Sequence, residues 1–167
     1  VHEFGHNVEQ TISLYDVDYY TMSGVPNTAV TEALAFVFQK RDLDLLGIKA
    51  NDPENEKMEV LDAAWSLVEI MGVGMTEMLT WLWLYENPEA TPAQLKEKTI
   101  EFATGTWNKY FAPITGVKDS PVLAIYSHMI EVPLYLPNYS YGHIVQFQIE
   151  KYLKDKKLAP EVDRMFS

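Results

Sequence analysis

The sequence contains no cysteine among its 167 residues. A disulfide framework and a thiolate zinc site are therefore excluded, so only histidine, aspartate and glutamate remain as strong metal ligands. The same absence leaves the redox compartment open, because a chain without thiols is compatible with the cytosol and with an oxidising environment.

Positive charge is also scarce. Lys+Arg number 13 against 24 Asp+Glu, which gives a net charge of −11. Such a chain lacks the basic surface that nucleic-acid binding requires, and an anionic membrane would repel it. We therefore expect neither a nucleic-acid partner nor attachment to an anionic membrane. Disorder is excluded as well, since 47% of the residues are apolar and 13% aromatic.

No uninterrupted apolar run is long enough to predict a membrane span. The longest apolar stretch, residues 67–85, includes Glu69 and Glu77. No basic and apolar signal segment opens the chain, which begins at Val1 inside a motif. We therefore expect residues 1–167 to be a single catalytic domain from the C-terminal part of a larger protein. The compartment (cytoplasmic, periplasmic or extracellular) and the oligomeric state stay open.

Helix signals recur along the chain, and every strand candidate is short and isolated, so the predicted fold class is all-α. Thr91-Pro92-Ala93-Gln94 has the form of a capping box, and Ser120-Pro121 has the form of a second helix start. The predicted helices cover residues 1–14, 28–46, 57–86, 92–110, 121–130 and 139–156, followed by a short last turn from residue 159.

The chain opens with a His-Glu-x-x-His motif, His2-Glu3-Phe4-Gly5-His6. On a helix, His2 and His6 lie one turn apart and face the same point, which suits two nitrogen ligands of one zinc ion. Glu3 lies about 100° around the helix, where it could act as the general base toward a metal-bound water. A helix with two surface histidines is the alternative.

Glu32 is the candidate third ligand. It begins an apolar stretch, residues 33–38, that predicts a buried helix. A buried carboxylate needs a positive partner, and Lys40 and Arg41 follow two turns later. A divalent ion held by His2 and His6 would satisfy it. Alternatively, the helix dipole and some exposure stabilise the charge.

Two segments resemble a known family. The HEFGH motif, followed some two dozen residues later by Glu32-Ala33 at the start of an apolar helix, resembles the gluzincin metallopeptidases. It is most similar to the clan of the thimet-type oligopeptidases, the oligoendopeptidases and angiotensin-converting enzyme. Residues 137–148, PNYSYGHIVQFQ, resemble the segment in which tyrosines precede a helix reading IIQFQ. The resemblance covers residues 1–38 and about 126–150.

The resemblance implies a zincin-like helical catalytic domain with one Zn²⁺ per chain, bound by His2, His6 and Glu32. Glu3 would be the general base and later the proton donor. The tyrosine that stabilises the oxyanion aligns with Tyr139, or with Tyr141 after a shift of one turn. His128, eleven residues before Tyr139, is the candidate donor to the substrate.

Two positions depart from angiotensin-converting enzyme. Asn138 stands where that enzyme has an arginine. The lysine with which that enzyme binds a free C-terminal carboxylate has no counterpart here, and Ser127 is the residue nearest to its aligned position. An endopeptidase or oligopeptidase is therefore expected rather than a carboxypeptidase. The family also pairs its substrate with an upstream strand, and without that strand this chain is expected to bind metal but cleave poorly.

The sequence thus predicts a zinc-dependent metallopeptidase that hydrolyses oligopeptides with a metal-activated water. One alternative is a non-catalytic helical interaction or structural domain that retains a relict or structural His/Glu cluster. A metal-dependent hydrolase of another substrate is a further alternative, because ligands alone do not define the substrate.

Overall fold

The structure, a computed structural model, describes residues 1–19, 27–48 and 53–166, which form helices, turns and irregular chain without a strand. This confirms the all-α class for the part of the chain that is described. In chain order the helices are α1 (His2–Tyr15), α2 (Thr28–Gln39), α3 (Asp42–Leu45), α4 (Pro53–Glu86), α5 (Pro92–Tyr110), α6 (Ala112–Thr115), a 3₁₀ turn (Val122–Ala124), α7 (His128–Glu131), α8 (Pro137–Leu153) and α9 (Leu158–Phe166).

The predicted start of α5 is confirmed. The Thr91 hydroxyl accepts a hydrogen bond from the backbone N–H of Gln94, and the Gln94 side chain accepts one from the Thr91 N–H. Pro92 occupies the first helical position, where no N–H is needed. The local signal was sufficient here because both partners lie within one turn.

Several predicted helices are wrong in their extent, among them the one predicted over residues 139–156, which runs from Pro137 to Leu153. The segment 28–46 is broken, since α2 ends at Gln39 and Arg41 leaves helical geometry before the short α3. The segment 121–130 contains only the 3₁₀ turn and the start of α7. The interval between the predicted helices 28–46 and 57–86 falls partly on residues 49–52, outside the described residues, and α4 begins at Pro53 rather than at residue 57.

The described residues group into two compact units, Val1–Ala63 with Tyr141–Ser167, and Ala64–Ser140. In the first unit, α1 packs against α2 and α9. The side chains of this core extend from α2 and α9, and Val8 and Ile12 of α1 pack against them. The buried members are Leu34, Phe38, Val162 and Phe166. This packing brings the first turns of α1 against α2.

The second unit has its own core, contributed by α4, α5 and the segments that follow. Its buried members are Ile70, Val73, Ala103, Phe111, Leu123, Met129 and Leu136. Trp81 of α4 donates its indole N–H to the carbonyl of Met129 at 2.8 Å. That bond ties α7 to the long helix.

Within the described residues, one segment, Lys57–Glu86, is long and apolar enough to cross a membrane by length and composition. A core helix of a soluble protein meets the same criteria. The segment is therefore weak evidence for a membrane span.

Candidate metal centre

Helices α1 and α2 bring three potential metal ligands together. His2 and His6 are one turn apart on α1, and Glu32 lies in the second turn of α2. The Nε2 atoms of His2 and His6 are 3.2 and 3.6 Å from the same oxygen, Oε2, of Glu32. One ligand atom from each of the three residues falls within 4.8 Å of the other two.

These distances fit a small divalent cation. Zinc bonds of about 2.0–2.1 Å in a tetrahedral site separate adjacent ligand atoms by about 3.3 Å. The two His–Glu distances, 3.2 and 3.6 Å, lie on either side of that value. Two imidazoles and one carboxylate also form a donor set that zinc accepts, with a fourth position open. The donor set and the two His–Glu distances therefore fit the ion.

The electrostatics of the centre come mainly from Glu32, which is 1% exposed. Its hydrogen bond and charge raise the pKa of His6, although burial of the imidazole works in the opposite direction. The charges of Glu3 and Glu9 raise this pKa further. An excess of negative charge therefore surrounds the imidazole, and a bound cation would be stabilised there for the same reason.

Helix α8 closes one side of the Glu32 side chain. A Cβ atom added at Gly142 would lie 3.0 Å from the Cβ of Glu32 and 3.2 Å from the Ala29 carbonyl oxygen. A larger residue at position 142 would therefore push α8 away from α2. Glycine at this position permits the close approach that buries the carboxylate.

Phe36 packs on two imidazole rings of the same unit. Its ring centroid lies 5.1 Å from that of His2 and 3.9 Å from that of His143, with which it stacks. Gln146 donates to the Phe36 carbonyl and meets Nδ1 of His143 through its amide oxygen at 3.1 Å. Burial lowers the pKa of His143, which disfavours the charged form of this ring beside Phe36.

The remaining candidates are distributed over both units. Glu3 is an exposed residue of α1 whose charge acts on His6, and Tyr141 is 62% exposed in the first unit. His128 and Tyr139 are half-buried residues of the second unit. Tyr135 links these two, since its ring contacts that of His128 at 5.6 Å and that of Tyr139 at 5.5 Å.

Sequence reasoning missed two polar contacts of α1. His2 Nδ1 lies 3.0 Å from Oε1 of Gln39, the last residue of α2. Glu9 is only 3% exposed and accepts a hydrogen bond from Ser13 at 2.8 Å. The sequence did carry a signal for Gln39, because it lies seven residues after Glu32. On a helix, that spacing places the two residues on the same face, two turns apart.

No protein-family model, curated protein or solved structure matches the chain. The resemblance to the gluzincin peptidases therefore stays a prediction, and the geometry of His2, His6 and Glu32 is the independent observation from which function is argued.

Proposed function

We propose that the protein is a zinc-dependent metallopeptidase that hydrolyses peptide bonds of oligopeptides. The observation that supports this most directly is the convergence of His2, His6 and Glu32, with two imidazole nitrogens 3.2 and 3.6 Å from one carboxylate oxygen. Catalytic zinc sites of hydrolases use three protein ligands of this kind and keep a further position for water or substrate.

In this proposal His2, His6 and Glu32 would hold one Zn²⁺. When bound, the ion supplies Lewis acidity and lowers the pKa of a coordinated water. Glu3 follows His2 on α1, and its charge already acts on His6. Its carboxylate accepts a proton from the attacking water and then passes that proton to the leaving amine. An exposed carboxylate suits this role, because it must reach both water and substrate.

The proposal also assigns roles to Tyr139 and His128. As the resemblance implies, the Tyr139 phenol would donate a hydrogen bond to the oxyanion that develops on the substrate carbonyl, a bond that strengthens as charge accumulates. On the same resemblance, His128 would donate a hydrogen bond to the substrate backbone. Both rings contact that of Tyr135, so the two side chains lie on one part of the second unit.

The variant Glu3→Gln tests the mechanism. We expect stoichiometric zinc to remain bound, while hydrolysis of quenched fluorescent peptides falls at least about 100-fold, within the range of a lost general base. Zinc is measured by elemental analysis, and hydrolysis in the protein expressed at its natural length. Glu97→Gln, at an exposed residue of α5, is the matched control and retains full activity.

Three other outcomes would contradict the proposal in different ways. Unchanged hydrolysis in Glu3→Gln would reject the role of Glu3. A purified chain that takes up no zinc would favour the structural or interaction domain. Zinc uptake with hydrolysis of another class of bond, and none of peptides, would favour a different metal-dependent hydrolase.

A further inference from the structure

The imidazole of His2 lies between two oxygen atoms. Its Nε2 is 3.2 Å from Oε2 of Glu32, and its Nδ1 is 3.0 Å from Oε1 of Gln39. Both oxygen atoms belong to α2, so one helix contacts both nitrogens of the ring. The Nε2 contact belongs to the metal centre, whereas the Nδ1 contact bears on how the ring is oriented.

The position of Gln39 follows from helix periodicity. Glu32, Phe36 and Gln39 are separated by four and three residues, so all three lie along one face of α2. The ring of Phe36 contacts that of His2 with 5.1 Å between centroids. The His2 imidazole is therefore supported by this face through a carboxylate, an aromatic ring and an amide.

The Gln39 contact selects one tautomer of the imidazole. A neutral imidazole has a single N–H, and an amide oxygen can only accept a hydrogen bond. A hydrogen bond to Gln39 therefore places the proton on Nδ1 and leaves the lone pair of Nε2 directed toward Glu32. This is the form that a metal ligand needs, since the nitrogen opposite the metal normally donates its N–H to an acceptor.

We propose that Gln39 is a positioning residue of the metal centre, whose amide oxygen accepts the Nδ1–H of His2 and so orients Nε2 for coordination. This inference rests on the metal centre proposed above. It assigns a role to the end of α2 that the motif and Glu32 alone do not indicate. Because Gln39 is exposed, water replaces part of its contribution, and the expected effect is at the low end of that for such contacts.

The test compares the zinc affinity of the unaltered chain with that of Gln39→Leu and Gln39→Glu, by competition with a chromophoric chelator. Gln39→Leu removes the acceptor and is expected to weaken zinc binding about 10-fold. Gln39→Glu provides a charged acceptor, which is a stronger partner for the N–H. We expect it to bind zinc at least as tightly as the unaltered chain.

Two controls separate positioning from general disturbance. Gln148→Leu makes the same chemical change at an exposed residue of α8 and is expected to leave zinc affinity unchanged. The visible spectrum of bound Co²⁺ reports ligand geometry, and we expect it to change in Gln39→Leu but not in Gln148→Leu.

Equal zinc affinity in the unaltered chain and both Gln39 variants would overturn the inference. Equal weakening in Gln39→Leu and Gln39→Glu would also overturn it. A disturbance common to both substitutions, and not loss of the acceptor, would then explain the effect. In both cases the metal centre itself would stand. If instead the unaltered chain bound no zinc, the proposed function would fail, and this inference with it.

Discussion

At the scale of single residues, Gly5 sets the distance between the two ligand-bearing helices. A Cβ atom at this position would lie 2.7 Å from the Cα of Ala35 and 3.2 Å from the Cβ of Phe38. The first of these is a backbone atom that cannot move without α2. Glycine inside the HEFGH motif therefore has a packing role beyond the spacing of the two histidines.

Gly5→Ala is predicted to destabilise the protein by about 1–3 kcal/mol, the usual range for overpacking of a tight contact. Because α1 must move away from α2, zinc affinity is expected to fall as well. The free energy of unfolding is measured by denaturant titration, and zinc affinity by chelator competition.

Gly105→Ala is the matched control for Gly5→Ala. A Cβ at Gly105, in the interior of α5, meets nothing within 4 Å. Alanine is therefore expected to stabilise the helix by about 0.5–1 kcal/mol without a change in zinc affinity. Equal effects of the two substitutions would contradict the assigned role of Gly5.

At the scale of elements, Glu77 joins α4 to the turn that precedes α8. Its side chain is fully buried and accepts hydrogen bonds from the backbone N–H groups of Tyr135 at 3.2 Å and Leu136 at 3.0 Å. Leu134, just before them, has a left-handed backbone with φ of 58°. The carboxylate thus stabilises a turn that a leucine adopts at some cost in energy.

The variant Glu77→Gln is predicted to be less stable by about 1–3 kcal/mol, because its amide NH₂ faces one of the two N–H groups. Burial raises the pKa of the Glu77 carboxyl group, against the opposing effect of its backbone hydrogen bonds. The stability difference between the two proteins should therefore depend on pH.

The sign of that dependence follows from proton linkage. Because the pKa of Glu77 is raised in the folded protein, the stabilisation by this group is fully present below the unfolded-state pKa, about 4.3. It is lost as the pH rises through the folded-state pKa. The advantage of the natural protein over Glu77→Gln should decrease over this range and then level off. Denaturant unfolding at several pH values measures it, with Glu97→Gln as the exposed control. An advantage that increases with pH would contradict the raised pKa.

At the scale of the whole molecule, zinc should stabilise the fold, since the proposed ligands come from α1 and α2 and cannot be preorganised in an unfolded chain. At free zinc 100 times its Kd, the free energy of unfolding should rise by about 2.7 kcal/mol. For a chain of this size, that corresponds to an increase in Tm of about 5–10 °C.

Thermal unfolding with and without zinc measures this shift, and a chelator should reverse it. Mg²⁺ is expected to have little effect, because it prefers octahedral oxygen ligands. His6→Ala should show a much smaller zinc shift. A shift as large as that of the natural protein would mean that the ion binds elsewhere.

Interactions within one helix turn were predictable from the sequence alone. The one-turn spacing of His2 and His6 and the capping box at Thr91 depend only on neighbouring residues and helix geometry. Glu32 was predicted as a partner because a buried carboxylate requires a positive group, an argument from desolvation rather than from local geometry.

The sequence by itself determined the all-α class, the spacing of the imidazoles and the need of Glu32 for a partner, since these follow from helix period, capping and burial. Only the tertiary structure decided how α1 and α2 approach at Gly5, that Gln39 meets His2, and that α2 ends before Arg41. The guanidinium of Arg41 bonds to the Val37 carbonyl and to Glu150 of α8. The contacts of Arg41 with Glu150 and of Gln39 with His2 join residues far apart in the chain, and packing of whole helices selects them. Spacing along one helix can therefore place a residue on a face but cannot name its partner on another helix.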